Sequence, residues 1–458
     1  MPIAVHNPTT GEVEKEYAAH TPEQIEAALA ASTAAFETLR RTSFEERAGW
    51  MHRAADILDA EAEQVARTIS TEMGKTFASA LFEAHKSAKG MRHYADHAAT
   101  YLASEAPVRP DQVGASRIAV RYEPIGPVLA VMPWNYPIWQ AMRFAAPALM
   151  AGNTGLLKHA SNVPESALYL GELFARGGFP EGAFQTLLVE GGQVLPLLDD
   201  RRIRAVTLTG SVGAGAAVAA AAGRNVKKSV LELGGADAFV VLPSADLDAA
   251  VPVAVNARVG NSGQSCIAGK RFIVHRDVYD EFEQRFTSAM AATVYGDPFA
   301  DKTTFGPMAT EAVRREVHEL VEDARAKGAR VLTGGELPDG PGWFYPATVL
   351  SGVTPDMRIA REECFGPVAC LFPAENAHDA LRQANESDFG LSASVWTRFP
   401  AEIELFSTGL ETGGVFVNGF TSSFPQLPFG GVKDSGYGRE LAGVGIREFV
   451  NIKTVWQA

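Results

Sequence analysis

Hydrophobic and polar positions divide this chain into stretches of different period. Through the first hundred residues, apolar positions recur at helical spacing. Thr21-Pro22-Glu23-Gln24 reads as a capping box with proline at the first helical position. Ile25, Leu29, Phe36 and Leu39 then approximate a helical stripe. Ser43-Phe44-Glu45-Glu46 is a second box, and the helical pattern continues to about Gly74. From 117 the period changes. RIAVRYE (117–123) alternates apolar and polar, as a half-buried strand does. The short apolar runs PVLAVM, TGLLK, FQTLLV, IRAVTLT and SVLEL follow, with helical stretches near 137–150, 163–176, 193–199 and 212–222 between them. Strands alternating with helices predict a parallel sheet covered on both faces. Ligands of such sheets bind at the carboxyl ends of the strands.

A second alternating block begins near Asp237, with AFVVL, RFIVH, ARVLTGG and a run near 393–397 as its clearest strands. GFTSSFPQLPFGGVKDSGYG reads as a long loop, and the tail REFVNIKTVWQ as one more alternating strand. No internal repeat or low-complexity linker interrupts the chain. Its 458 residues match about three domains by size, or two large ones. Two uncharged runs, 125–142 and 205–223, are broken by prolines, glycines and hydroxyls, so each reads as a strand, a turn and a helix and not as a membrane span.

Composition narrows the function. A hydrophobic fraction of 46% and a charged fraction of 21% exclude a disordered or fibrous chain. Forty-one basic against 54 acidic residues leave a net charge of −13, which argues against nucleic acid as a partner. Three cysteines, Cys266, Cys364 and Cys370, make no disulfide framework and fit a reducing, cytoplasmic setting. The N-terminus shows no apolar core behind a basic start, so no signal peptide is expected.

Several constellations carry candidate chemistry. Cys266 sits in GNSGQSCIAGKRF, after a glycine-rich turn whose N–H groups suit a thiolate or an oxyanion. A buried structural thiol is the competing reading. Glu232 ends the apolar strand of SVLELGG, a placement for a base of raised pKa or for a simple turn cap. Asn135, between two prolines in MPWNYP, is either an oxyanion donor or a turn former. Gly210-Ser211-Val212-Gly213-Ala214-Gly215 follows a strand and opens an Ala-rich helix, a place for a phosphate, although it is not G-x-G-x-x-G. Lys158, at a strand end before Ser161, either reaches a ribose or phosphate or is solvated.

Together PWNYP, LKHASNVPESA, LTGSVGAG, LELGG, GNSGQSC, REECFGPV and PFGGVKDSGYGRE, in that order, resemble the aldehyde dehydrogenase superfamily over nearly the whole chain. The resemblance implies an α/β protein with a Rossmann-like cofactor domain (1–108 and 127–232) and an α/β catalytic domain (233–428). It also implies a small β oligomerisation flap and tail (109–126 and 429–458), and hence a homodimer or dimer of dimers. It makes Cys266 the nucleophile, Glu232 the general base, and Asn135 an oxyanion donor beside the Cys266 N–H. The cofactor contacts it implies are Trp134, Lys158, Ser161, Gly210, Ser211, Leu233, Glu363 and Phe365. A base at Glu232 favours hydrolysis of a thioester over its transfer to coenzyme A. The neutral Ser161, three residues after Lys158, can donate to a 2′-phosphate, so NADP is expected to be accepted as well as NAD.

Arg143 stands in the apolar helical segment PIWQAMRFAAPALM, eight residues after Asn135, and needs an anionic partner. A structural ion pair is one reading. The segment also resembles the bacterial succinate-semialdehyde dehydrogenase branch, in which an arginine at this offset binds the substrate carboxylate. A second arginine of that branch falls on Gly260; Arg258 is the candidate substitute, and Ser423 a candidate tail-pocket residue. The cysteine that some relatives carry two residues after the nucleophile is Ala268 here, so no regulatory disulfide is expected in this loop. The expected activity is NAD(P)-dependent oxidation of succinate semialdehyde, with no metal, nucleic-acid or membrane partner. A broad-specificity aldehyde dehydrogenase and a non-catalytic scaffold are the alternatives.

Overall fold

The computed structural model describes residues 2–458. Both capping boxes form. Thr21 Oγ1 accepts from the Gln24 N–H at 3.3 Å while Gln24 accepts from the Thr21 N–H at 2.8 Å. Ser43 and Glu46 repeat the exchange at 3.2 and 2.8 Å. The helices they start, Pro22–Leu39 and Phe44–Ala60, are followed by Ala62–Met73, which stops at Gly74 in the left-handed region (φ 79°). The all-helical expectation for this stretch fails only at its beginning. Ile3–Asn7 and Glu12–Tyr17 form an antiparallel ribbon, because IAVHN and EVEKEY alternate over segments too short to close a helix.

The first sheet has Pro127–Met132 at its centre. Thr154–His159 and Phe184–Thr186 lie on one side, and Ala205–Thr209 and Lys228–Glu232 on the other, all parallel. In chain order this is 3-2-1-4-5, the doubly wound arrangement whose direction reverses beside the first strand. Turn 133–136 and turn 210–211 leave the sheet at that reversal. Helices Pro137–Ala151, Pro164–Gly177 and Val212–Arg224 connect the strands where the period predicts them.

The second sheet has seven strands. Ala238–Val241, Arg271–His275, Val368–Ala374, Thr348–Ser351, Ser392–Trp396 and Gly414–Val417 are parallel, and Arg330–Thr333 closes one edge antiparallel. Strand Lys228–Glu232 of the first sheet runs through 233–237 directly into strand Ala238–Val241 of the second. The carboxyl ends of one sheet therefore meet the amino ends of the other, and Cys266 precedes a second-sheet strand at that junction.

The tail 429–458 divides. Gly436–Tyr437 adds an antiparallel edge to the first sheet, against Leu231 and Glu232. Val450–Gln457 pairs with Arg117–Pro124 along its whole length as a separate two-stranded ribbon. No helix among the described residues is long and apolar enough to cross a membrane.

Candidate active site

Cys266 lies in the loop between helix Leu247–Val259 and strand Arg271–His275. Three consecutive residues of this loop are left-handed: Asn261 (φ 55°), Ser262 (φ 57°) and Gly263 (φ 72°). Two carry side chains, at about 1–2 kcal/mol each, so neighbours must hold them. Ser262 Oγ donates to the Gly306 carbonyl at 2.8 Å. Asn261 Nδ2 donates to the Asn135 and Gln264 carbonyls at 2.9 and 3.1 Å. Arg258 donates to the Gly263 carbonyl at 2.7 Å and the Gly269 carbonyl at 3.1 Å. Lys270 Nζ donates to the carbonyls of Ser265 and Cys266 at 3.0 and 2.9 Å and pairs with Glu363 at 3.1 Å.

This corrects the expectation for Arg258. Its guanidinium is fully buried, with Nη1 and Nη2 each donating to a backbone carbonyl of the Cys266 loop, and it does not line the cavity in front of Cys266. A buried arginine needs acceptors, and a bent loop with outward carbonyls supplies them.

Asn135 is buried in the turn that ends strand Pro127–Met132, and its Nδ2 donates to the Gln264 carbonyl at 3.1 Å. One Nδ2 hydrogen remains. The Cys266 N–H has no intramolecular acceptor among the described residues. Two donors without acceptors thus belong to the Cys266 loop and to the turn bonded to it, the kind of group an oxyanion requires. Burial pushes the Cys266 thiol up to about 12, against the pull of Arg143 and Lys270. At neutral pH the resting group is a thiol, so attack must be coupled to loss of its proton.

Glu232 ends its strand buried, with neither carboxylate oxygen hydrogen-bonded. Gly430, at φ 151°, backs onto Glu232, and a Cβ there would stand 2.6 Å from Glu232 Oε1. Glu232 does not line the cavity itself, but Arg143, which does, acts on it electrostatically. Burial first, and then the Glu440 carboxylate, raise its pKa well above the usual carboxylate range; Arg143 and Arg439 oppose them. Arg143 Nε lies 2.7 Å from Glu440 Oε2, with its guanidinium over the Phe429 ring at 4.6 Å. The structural ion pair is therefore realised, while Arg143 still faces the cavity. Arg143 pairs with Glu440 directly and acts on Glu232 only through its field, while burial raises both carboxyls.

On the cofactor side, Lys158 is buried at its strand end and has no acidic partner among the described residues. Ser211 caps helix Val212–Arg224 by accepting from the Ala214 N–H at 3.3 Å, and a Cβ on Gly213 would meet nothing within 4 Å. A buried unpaired ammonium beside an open helix N-terminus fits a pyrophosphate-containing dinucleotide. Ser161 takes the Ala4 N–H on its carbonyl, leaving its hydroxyl unengaged. Glu363 accepts the Gly235 N–H at 3.0 Å, Trp134 packs edge-on against Phe365 at 5.7 Å, and Leu233 is buried. Gly235 is held so close to the Cys266 carbonyl that a side chain there would collide with it.

The cavity in front of Cys266 measures about 280 Å³ and is lined by Lys86, Trp139, Arg143, Phe420, Ser423 and Phe429 among others. That is at the small end of ligand pockets and suits a small molecule. Sequence reasoning missed Lys86, Glu440 and the Lys75–Glu83 pair. Glu440 stood in GYGRE and Lys86 in a helical stretch, but no local pattern says which distant element each will meet. Lys270, in the basic pair after Cys266, was visible.

The model of the aldehyde dehydrogenase family matches residues 1–455. An aldehyde dehydrogenase of Paenarthrobacter nicotinovorans is 66% identical over 456 residues, with both chains fully covered. A protein of Mycobacterium tuberculosis named succinate-semialdehyde dehydrogenase [NADP(+)] 1 is 56% identical over 458 residues, again with both fully covered. The crystal structure of succinic semialdehyde dehydrogenase from Streptococcus pyogenes, in complex with NADP+, superposes with a TM-score of 0.96 at 35% identity, covering 99% of each chain.

Proposed function

The chain belongs to the aldehyde dehydrogenase family, and from that premise we propose that it oxidises succinate semialdehyde to succinate with NADP as its preferred cofactor. The observation that carries the chemistry is Cys266 in the lining of a small cavity, with its own N–H unpaired among the described residues and Asn135 bonded to the same loop at Gln264. The relatives named for succinate semialdehyde support the substrate, as does the basic lining of the cavity.

In this reading the Cys266 sulfur bonds to the aldehyde carbon and its proton leaves to a base. The new oxyanion is held by Asn135 Nδ2 and the Cys266 N–H. When bound, the nicotinamide dinucleotide supplies the hydride acceptor that turns the thiohemiacetal into a thioester. Lys158, Ser161, Gly210 and Ser211 would hold its adenosine and phosphate end. Trp134, Leu233, Glu363 and Phe365 would hold its nicotinamide end. Glu232 turns from its place beside Gly430, takes a proton from water, and that water attacks the thioester carbon. The acid leaves and Cys266 regains its proton.

A second reading, a broad-specificity aldehyde dehydrogenase, is favoured by the commitment of Arg143 to Glu440 and by the unspecified name of the 66% identical relative. A kinetic panel separates the two. Succinate semialdehyde should exceed butanal in kcat/KM by more than about tenfold, and NADP should exceed NAD by about as much, each worth ~1.4 kcal/mol. Equal rates on both aldehydes would overturn the substrate, and strict use of NAD would overturn the cofactor.

The three-part organisation carries over as a proposal, with 436–437 joined to the cofactor sheet. Ribbon Arg117–Pro124/Val450–Gln457 leaves Ile452 63% and Trp456 52% exposed. A two-stranded ribbon with apolar side chains in water is marginal and invites pairing. A homodimer or dimer of dimers built through it is expected in multi-angle light scattering; a stable monomer would overturn this.

A further inference from the structure

The Cys266 N–H belongs to the peptide whose carbonyl is that of Ser265, and a charge sits on that carbonyl. A trans peptide is planar, with its C=O and N–H pointing opposite ways, and no peptide among the described residues is cis. Whatever fixes the Ser265 carbonyl therefore aims the Cys266 N–H. Lys270 Nζ donates to the Ser265 carbonyl at 3.0 Å. It also donates to the Cys266 carbonyl at 2.9 Å and pairs with Glu363 Oε1 at 3.1 Å. Three oxygens thus surround the ammonium, and Lys270 does not line the cavity.

The lysine is itself held by the second sheet. Its N–H donates to the Asp237 carbonyl at 3.0 Å, and its carbonyl accepts from the Cys370 N–H at 3.1 Å. It therefore enters strand Arg271–His275 already pinned between the two neighbouring strands. Its side chain is buried, and burying an ammonium is costly. A neutral donor would hold a bent loop as well, as Ser262 and Asn261 do on carbonyls of the same region. What a charge adds is polarisation. A cation on the carbonyl oxygen draws electron density through the amide and makes the N–H at its other end a stronger donor. The effect is largest away from water, and Ser265 is buried.

We infer that Lys270 is a positioning residue of the oxyanion site, which aims and polarises the Ser265–Cys266 peptide so that the Cys266 N–H meets the oxyanion of the tetrahedral adduct. Lys270 acts through the peptide and never touches the aldehyde. Glu363, which accepts the Gly235 N–H with the same oxygen that faces Lys270, balances the charge. The assignment rests on the reading of Cys266 as nucleophile and of its N–H as an oxyanion donor, and is independent of which aldehyde is the substrate.

Two reactions of the same sulfur, run without cofactor, test this. p-Nitrophenyl acetate acylates Cys266 through a tetrahedral oxyanion and releases p-nitrophenolate. Iodoacetamide alkylates it with loss of iodide and forms no oxyanion. Arg143 and Lys270 oppose the burial that raises the Cys266 thiol, and that pull enters both rates alike, as does any displacement of the loop. The ratio of acylation to alkylation therefore reports the oxyanion donors. Lys270→Met should lower that ratio roughly 10–100-fold, short of the cost of removing a whole oxyanion donor. Lys270→Arg, which keeps a charged donor, should recover much of it. A second measurement needs no variant. Ser265–Cys266 is the one Ser–Cys peptide of the chain, so serine labelled with carbon-13 at its carbonyl and cysteine labelled with nitrogen-15 mark it alone in the magnetic resonance spectrum of the wild-type protein. That carbonyl should resonate downfield of the ordinary serine range, as one held by a cation does. A Lys270→Met ratio within about threefold of the wild type, or a Ser265 carbonyl in the ordinary range, overturns the assignment. A wild-type Cys266 that is alkylated but not acylated instead overturns the oxyanion reading beneath it.

Discussion

Cys266→Ala should abolish aldehyde-dependent reduction of nicotinamide, a fall on the order of 10⁴ or more, as removal of a nucleophile that works as part of a unit does. The measurement is absorbance of reduced cofactor under saturating aldehyde. Hydroxyls also line the cavity, at Ser79, Ser265, Thr421, Ser422 and Ser423, but none can replace a sulfur whose thiolate is intrinsically the better nucleophile. The loop should survive the change. Its left-handed bend is held by Ser262, Asn261 and Arg258, and Lys270 holds the Cys266 carbonyl and not its sulfur. The melting temperature should therefore move little, since one half-buried sulfur is lost and no partner is stranded. Residual turnover above a thousandth of the wild-type rate would overturn the nucleophile assignment.

What was legible in the sequence follows a physical division. Local signals survived. The two capping boxes form because their partners are three residues apart. The alternation of strand and helix from 127 to 232 produced the doubly wound sheet because each βα unit is nearly self-contained. Asn135 bonds to the Cys266 loop at Gln264, and Glu232 ends the strand that leads into the second sheet, placements that follow from strand ends and the loops between strands. Partner choice over long separations was not legible. Arg258 and Arg143 were both candidates for one substrate carboxylate, yet one took backbone carbonyls and the other Glu440. A guanidinium accepts any of these, and which one it meets depends on the packing of elements far apart in the chain. Lys86 escaped notice for the opposite reason. A lysine on a helix usually means solvent, and only the fold shows that its neighbours Glu83, Arg143 and Ser423 leave it as an unpaired charge.

Glu232→Gln should separate the two halves of the reaction. Gln is nearly isosteric, so the close approach of Gly430 survives. Acylation needs the sulfur, the two oxyanion donors and the hydride acceptor, and should still run once. Mixing with aldehyde and cofactor should then give a burst of one reduced nicotinamide per site, followed by turnover slowed about 10²–10⁴-fold, the usual worth of a general base. Mass spectrometry of the stalled protein should place a succinyl thioester on Cys266. In the wild type, the pH limb of the steady-state rate should lie above that of an ordinary glutamate. The sign follows from the site. Burial and the Glu440 carboxylate disfavour the charged form of Glu232, so activity appears as pH rises through its raised pKa and is lost below it. The slow limb should vanish in the variant, whose Gln does not titrate. Unchanged turnover would overturn Glu232 as the base. Loss of the burst as well would move Glu232 to an earlier step. With the Cys266 thiol pushed up to about 12, some group must take its proton on attack, and a burst that survives Glu232→Gln requires that group to be other than Glu232.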